Sequence, residues 1–299
     1  MKLGLMALAS SVIDACVPKS VKNILTVSPT LDDPQDFTSE PQDSSPTMKT
    51  NQLDEIATSE PLKLSPAERA ELLAKPEFFT EILGTNTKKI MTSQFDDSEY
   101  LKINRRVFPN NNCGQSVLAT TVKMCEYFKT GYVPDYTISD VDMTLDEFFF
   151  TDIKGHTEKI ITPNDQMYFV GFSDALNLLL PQKILKTEFL TPNNGSRYTR
   201  IVFPKDLSKA LTMAQTTCEE GGFVIIHGLK YQSGHIILAT NVKGDGTATI
   251  VDSRTAIDSQ PGTVHIANIR DYFESRVDPD AEFLGKQPGI LNMLSVTFK

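Results

Sequence analysis

The stretch Asn110-Asn111-Asn112-Cys113-Gly114-Gln115-Ser116-Val117-Leu118-Ala119-Thr120 places a polar run directly before an apolar one. We expect the polar run to form a loop and the apolar run to form a helix, with Cys113 at the first helical residue. Unpaired backbone N–H groups and the positive end of the helix dipole stabilise a thiolate at that position. Since the thiolate is the nucleophilic form, the stretch predicts a reactive cysteine.

The apolar run continues past Cys113 with helical spacing. Apolar residues recur every three or four positions until Gly131, which predicts a helix with a buried face that ends at this glycine. Cys125 falls on that face. We therefore interpret Cys125 as a small core residue and not as a second reactive thiol.

Two β-rich runs further along the chain carry a histidine and an aspartate. His235 opens the run 235–239, Asp252 follows the run 247–251, and Lys243-Gly244-Asp245-Gly246 between them is typical of a hairpin turn. A turn at Lys243-Gly244 would place His235 and Asp252 directly opposite each other, and one at Gly244-Asp245 would make them diagonal, within ~5–8 Å. A three-residue loop without a bulge would put them on opposite faces.

The order Cys, His, Asp supplies the parts of a thiol hydrolase or acyl-transfer enzyme. Cys113 would attack a carbonyl, His235 would act as general base and acid, and Asp252 would orient the imidazole. A rival base is His227, but it ends an apolar run with no acid on a following strand, so we favour a core or edge role for it. His265 lies in a segment without an evident partner.

The pattern of elements indicates an α+β fold, with a helical half that carries the nucleophile helix packed on an antiparallel β-sheet. A capping box at Ser65–Glu68 starts an earlier helix. Further helices are expected at 145–150, 174–180 and 206–218, and strands at 223–226, 235–239, 247–251 and 294–298.

The amino-acid composition argues against several classes of function. The 299 residues are 40% hydrophobic and carry a net charge of −9 without a basic cluster, which argues against nucleic acid as a partner. The four cysteines lack the spacing of a disulfide framework or a metal site, so we expect reduced thiols, no metal and no cofactor. No apolar run is long enough to span a membrane.

Composition also divides the chain. Residues 1–27 contain either an export signal or an ordinary amphipathic helix, and residues 28–61 are rich in Pro, Ser, Thr and acidic side chains, as in a disordered acidic linker. Residues 62–299 form the expected catalytic domain. Its first helices are either a brace packed on the domain or an inhibitory arm over the active site.

These motifs resemble those of the bacteriocin-processing and related bacterial papain-like peptidases. That family typically shows Asp-Cys-Gly before small and apolar residues, then a Gly-His strand, then an Asp that ends the following strand; the match here runs from about Asn110 to Ser253. The resemblance implies a papain-like fold, with Cys113 as nucleophile, His235 as general base and acid, and Asp252 as the orienting residue.

Two positions depart from the family pattern. Val107 stands where the family has the glutamine of the oxyanion hole, and Asn112 stands in place of the aspartate before the cysteine. A side-chain amide for the hole would then come from Asn110, Asn111 or, if its loop folds back, Gln94. Gln115, at the helix start, is expected to face solvent.

The leading hypothesis is cleavage of a peptide or isopeptide bond in a protein or peptide substrate. Glutamine deamidation or acyl transfer on a protein would use the same triad, and a non-catalytic binding module would keep the scaffold alone. The leader and linker are typical of a protein exported or secreted from a bacterium, including delivery to a host, with a cytoplasmic protein as the alternative. Oligomeric state is left open.

Overall fold

A computed structural model describes residues 63–94, 112–151, 155–161, 167–180, 184–191, 202, 204–230, 233–254, 262–274, 276–277, 286–287 and 289–299. All of them belong to one compact unit, Ser59–Lys299. The predictions made for residues 1–27 and 28–61 lie outside the described residues.

Among the described residues, four helices precede the first strand, and the longest succession of strands follows the sixth helix. The helices are α1 Pro66–Leu73, α2 Glu77–Thr80, α3 Cys113–Thr130, α4 Ile138–Leu145, α5 Phe172–Leu179, α6 Pro204–Glu219 and α7 Ile269–Tyr272. The strands are β1 Phe149–Thr151, β2 Thr157–Lys159, β3 Leu185–Phe189, β4 Phe223–Lys230, β5 Ser233–Thr240, β6 Thr247–Asp252, β7 Thr263–Asn268, β8 Arg276–Val277, β9 Lys286–Gln287 and β10 Ile290–Phe298.

The main sheet has six strands in the order β3-β10-β4-β5-β6-β7, and every neighbouring pair is antiparallel. Two smaller antiparallel sheets pair β1 with β2 and β8 with β9. The fold is therefore α+β with antiparallel sheets, as predicted. The four predicted strands are present as parts of β4, β5, β6 and β10, whereas β3 and β7 were not anticipated.

Alternate residues of the central strands enter two separate apolar clusters. Ile225, Ile236 and Leu238 join the cluster that contains the apolar residues of α3. Ile226 and Ile237 join the cluster that contains those of α6. This period of two is the geometry of a strand whose two faces are both covered, so the sheet lies between α3 and α6.

Helix α3 is the centre of the fold. Every residue from Cys113 to Cys125 is buried, and the helix ends at Gly131 with φ 77°, a left-handed conformation that glycine adopts without strain. The predicted helix and its end are confirmed. Its burial extends all round and not along one face only, because other elements cover it on every side.

Helix α1 packs at the hairpin end of the β5–β6 pair. The predicted capping box of Ser65 and Glu68 is formed, and the Thr240 and Thr249 hydroxyls donate to the carbonyls of Leu73 and Ala74 at 2.5 and 3.2 Å. His235 lies five residues before Thr240, or ~16 Å along an extended strand. These contacts attach α1 to the sheet at the hairpin end.

The helix predicted at 145–150 is wrong. A capping box of Thr137 and Asp140 starts α4, which ends at Leu145, and Phe149–Thr151 is a strand. Phe150 is buried between two exposed neighbours, a strand alternation that outweighs the weak capping pair at 144 and 147.

Within the described residues, no helix has the length and apolarity needed to cross a bilayer.

Candidate active site

Cys113 is the first residue of α3, and its side chain is 8% exposed. Asn112 caps the helix through its backbone carbonyl, which accepts from the Ser116 N–H at 2.9 Å, and its side chain makes no capping bond. The first turn contains no acidic residue that would compete for the free N–H groups. The thiol therefore lies in the positive field of the helix N-terminus.

Gly114 allows a close contact beside the thiol. A Cβ at this position would lie 3.0 Å from the Cβ and 3.1 Å from the sulfur of Met167. Only glycine lets Met167 approach the helix start at this distance without a shift. The requirement gives a packing reason for the Cys-Gly pair of the motif.

The hairpin of β5 and β6 brings His235 and Asp252 together. Leu238 pairs with Val251, which corresponds to a turn centred on Gly244-Asp245 and makes the two residues diagonal neighbours on one face. His235 Nε2 lies 2.6 Å from Asp252 Oδ1. The His side chain is 2% exposed and the Asp side chain 1%, so solvent hardly reaches this bond.

The Cys113 thiol forms a hydrogen bond with the His235 ring and another with the backbone N–H of Ile236. Because Asp252 occupies Nε2 of the imidazole, Nδ1 is the nitrogen left to face the sulfur. Sulfur, imidazole and carboxylate thus form one continuous chain of hydrogen bonds. The structure brings the three residues of the predicted triad together.

The pKa values of Cys113 and His235 shift in the directions that favour a charged pair. Burial alone would raise the pKa of the Cys113 thiol, but the hydrogen bond and charge of His235 outweigh it and lower that pKa. Burial would lower the pKa of His235, yet its bonds to Asp252 and Cys113 raise it to about 9. Both shifts favour a thiolate that faces an imidazolium.

Asp252 receives four donors, two on each oxygen. His235 and the backbone N–H of Arg254, at 2.9 Å, donate to Oδ1, while Lys230 Nζ at 3.3 Å and the Tyr272 hydroxyl donate to Oδ2. Burial would raise the pKa of this carboxyl, but these donors lower it to about 2. Between about pH 2 and pH 9 the ionised aspartate therefore faces a charged histidine.

Lys230 and Tyr272 are site residues that sequence reasoning missed. Lys230 ends β4 and Tyr272 ends α7, and neither belongs to a motif with the triad residues. The available signal was weak: Lys230 lies on the strand that precedes the predicted hairpin, where a lysine at a strand end is usually solvated.

Gln94 lies beside the end of β6, next to the strand residue Asp252. Its backbone N–H donates to the carbonyl of Ser253 at 3.1 Å, next to Asp252, and the hydroxyl of Ser93 donates to the same carbonyl at 3.3 Å. The Gln94 side chain is 0% exposed, and neither of its amide atoms has a hydrogen-bond partner in the described part of the chain.

The remaining polar and cysteine residues that the sequence singled out have different surroundings. Asn110 and Asn111 lie outside the described residues. Gln115, expected to face solvent, is buried, because α3 is covered on all sides. Cys125 is buried in the apolar core as predicted, and burial raises its pKa.

The other histidines also have definite surroundings. His227 stacks on Phe169 with ring centroids 5.5 Å apart, and burial lowers its pKa to about 4, as for a neutral core histidine. His265, expected to lack a partner, packs on the ring of Tyr272 at 5.6 Å. The sequence did not show this contact because β7 and α7 were not predicted.

The described residues contain no group of His, Cys, Asp and Glu side chains that could hold a metal ion. Comparisons of the chain with protein-family models, with curated proteins and with solved structures give no significant match.

Proposed function

We propose that this chain is a cysteine hydrolase of papain-like type that cleaves a peptide or isopeptide bond through Cys113, His235 and Asp252. The observation that carries the proposal is the hydrogen-bonded chain from the Cys113 thiol through His235 to Asp252. In this chain His235 Nε2 lies 2.6 Å from Asp252 Oδ1. A helix that presents a thiol to an antiparallel sheet bearing the base and acid is the arrangement expected of such an enzyme.

The two half-reactions use the same three groups. The Cys113 thiolate attacks the substrate carbonyl carbon, and the imidazolium of His235 gives its proton to the leaving nitrogen as the C–N bond breaks. Water then attacks the thioester while His235 takes one of its protons; the C–S bond breaks, the carboxylic acid leaves, and the thiolate and imidazolium are restored. Asp252 keeps Nε2 protonated and stabilises the imidazolium in both steps.

The Gln94 amide is the proposed side-chain donor of the oxyanion hole. A buried amide without a partner costs about 1–3 kcal/mol, so its N–H groups are preorganised for an acceptor that arrives with the substrate. Backbone N–H groups at the start of α3 would supply the second donor. This arrangement replaces the glutamine that the family pattern would place at Val107.

A thiol-reactive probe tests the nucleophile. The full chain would be treated with a limiting amount of alkyne-tagged iodoacetamide at neutral pH, and labelled peptides would be identified by mass spectrometry. We expect label at Cys113 in the wild type and in Cys125→Ala, and none at that position in Cys113→Ala. Preferential labelling of Cys125 or Cys218 would contradict the proposal.

A second measurement separates a hydrolase from a binding module with a reactive thiol. The wild type and Cys113→Ala would be incubated with a complex peptide library, and new peptide termini would be counted by mass spectrometry. We expect new termini with the wild type alone. A labelled Cys113 without any cleavage, deamidation or acyl transfer would favour the binding module.

A further inference from the structure

Asp252 accepts hydrogen bonds on Oδ2, the carboxylate oxygen that His235 does not contact. His235 and the backbone N–H of Arg254 donate to Oδ1. The hydroxyl of Tyr272 donates to Oδ2, where Lys230 Nζ is the second donor at 3.3 Å. A carboxylate bound through one oxygen alone can rotate about its last torsion, which is broad and soft. A donor on the second oxygen sets the plane of the carboxylate and therefore the direction in which Oδ1 faces.

Tyr272 is itself anchored to the strand pair that carries His235. The next residue, Phe273, packs so closely on Gly228 that a Cβ there would overlap its ring, and Gly228 pairs with His235 across β4 and β5. The N–H of Glu274 donates to the Leu229 carbonyl at 2.8 Å. These contacts fix the position of Tyr272 relative to the backbone next to the His235 imidazole.

Lys230 lies between the ring and the carboxylate. Its Nζ is 3.2 Å from the centroid of the Tyr272 ring and 3.3 Å from Asp252 Oδ2, and its side chain is 17% exposed. The cation attracts both groups. It also offsets part of the negative charge that the imidazolium of His235 experiences, so its electrostatic effect on the triad opposes that of Asp252.

We propose that Tyr272 is a positioning residue that orients Asp252 for His235, with Lys230 as a charge that moderates the same carboxylate. The inference rests on the proposed function, because it assigns a role within the same triad. Both residues act through Asp252 and neither touches the reacting atoms. They belong to α7 and β4, outside the motifs that carry Cys113, His235 and Asp252.

The test is the pH dependence of Cys113 alkylation by iodoacetamide in the full chain. The titratable groups that face Asp252 are His235, Lys230, Tyr272 and His265, with Cys113 beyond the imidazole. Tyr272→Phe should loosen the carboxylate and destabilise the imidazolium, so the thiolate forms at higher pH. At the wild-type midpoint we expect alkylation about threefold slower, as for partial loss of one charged hydrogen bond.

Lys230→Met should move the profile the other way, because it removes a cation beside the imidazolium and strengthens the ion pair. Non-specific structural damage would shift both variants in the same direction, so opposite shifts identify the positioning and charge effects. In an Asp252→Asn background, Tyr272→Phe should have no further effect. Tyr132→Phe, at an exposed tyrosine, is the matched control and should follow the wild type.

Three results would overturn the inference: a Tyr272→Phe profile that superimposes on the wild type, shifts of equal sign in the two variants, or unfolding of Tyr272→Phe, which would give the hydroxyl a structural role. Failure of the proposed function is a separate outcome. It would show as wild-type Cys113 reacting no faster than Cys113 in His235→Ala, whatever the Tyr272 variant does.

Discussion

Cys113 and Cys125 lie on the same helix, both are buried, and their thiols have opposite properties. Cys113 begins α3 with 8% exposure, and Cys125 lies within it at 0%. Burial raises the pKa of both thiols. At Cys125 the charge of Arg69 offsets only a small part of that increase, whereas at Cys113 the His235 ring and the Ile236 N–H reverse it.

The comparison shows that the partner of a buried thiol, and not its burial alone, decides the direction in which its pKa shifts. One helix supplies both environments because its N-terminus reaches the strand end that carries His235, while its middle packs among apolar side chains. The helix dipole favours a thiolate only at the first of these places. Each of the following predictions changes one contact that distinguishes the two cysteines.

The largest effect is expected for His235→Ala, which would make Cys113 resemble Cys125. Without the imidazole, burial raises the thiol pKa, and alkylation at pH 7 should fall by roughly 100-fold. Peptide turnover should fall by about 10⁴-fold or more, since the general acid is lost as well. The rate of Cys113 alkylation measures the first effect, and the rate of peptide turnover measures the second. His156→Ala, at an exposed histidine, should behave as the wild type, and full reactivity in His235→Ala would remove that residue from the site.

Gln94→Ala should separate the thiol from the oxyanion hole. Turnover is expected to fall by about 10²-fold, the usual effect of removing one oxyanion donor. Alkylation by iodoacetamide should be unchanged, because that reaction forms no tetrahedral oxyanion. The two rates measured on one sample give the result, with Gln215→Ala, at a partly exposed glutamine that bonds Glu219, as control. An equal loss in both rates would assign Gln94 to the packing of the thiol.

Asp252→Asn should weaken the triad without abolishing it. The asparagine keeps an acceptor for Nε2 but loses the charge that raises the pKa of His235, so alkylation at pH 7 should fall by about tenfold. The upper limb of the pH profile should move to lower pH. Asp271→Asn, on the same side of the fold but exposed, is the control; an unchanged profile in Asp252→Asn would show that the carboxylate does not act on the imidazole.

The smallest effect is the contribution of the ion pair to stability. The folded pKa of Asp252 is about 2, below the ordinary 3.8, so its contribution is present above pH 3.8 and lost as pH falls through 2. The folded pKa of His235 is about 9, above the ordinary 6.5, so its contribution is full below pH 6.5 and lost as pH rises through 9.

The pair should therefore stabilise the fold most between pH 3.8 and 6.5, by about 2 kcal/mol relative to Asp252→Asn. Thermal unfolding of both proteins from pH 2 to 10 measures the difference. Cys125→Ala compared with the wild type should show no such pH window. A constant difference between wild type and Asp252→Asn across this range would contradict the assignment.

Local patterns predicted much of the fold and the centre of the site. Helix α3, its end at Gly131 and the β5–β6 hairpin follow from spacing and turn residues that act over a few positions. The turn at Gly244-Asp245 also determined that His235 and Asp252 share a face. The helix expected at 145–150 failed because its evidence was a single capping pair, which a strand alternation at Phe150 outweighs.

The sequence by itself determined which residues could react: a cysteine at a helix start, and a histidine and an aspartate on one face of a hairpin. Tertiary structure decided how those residues are surrounded, since it brought Lys230 and Tyr272 to Asp252, brought Gln94 to the neighbouring Ser253 and buried Gln115. The physical reason is that hydrogen bonds and pKa values depend on distances through space, and these contacts join elements far apart in the chain.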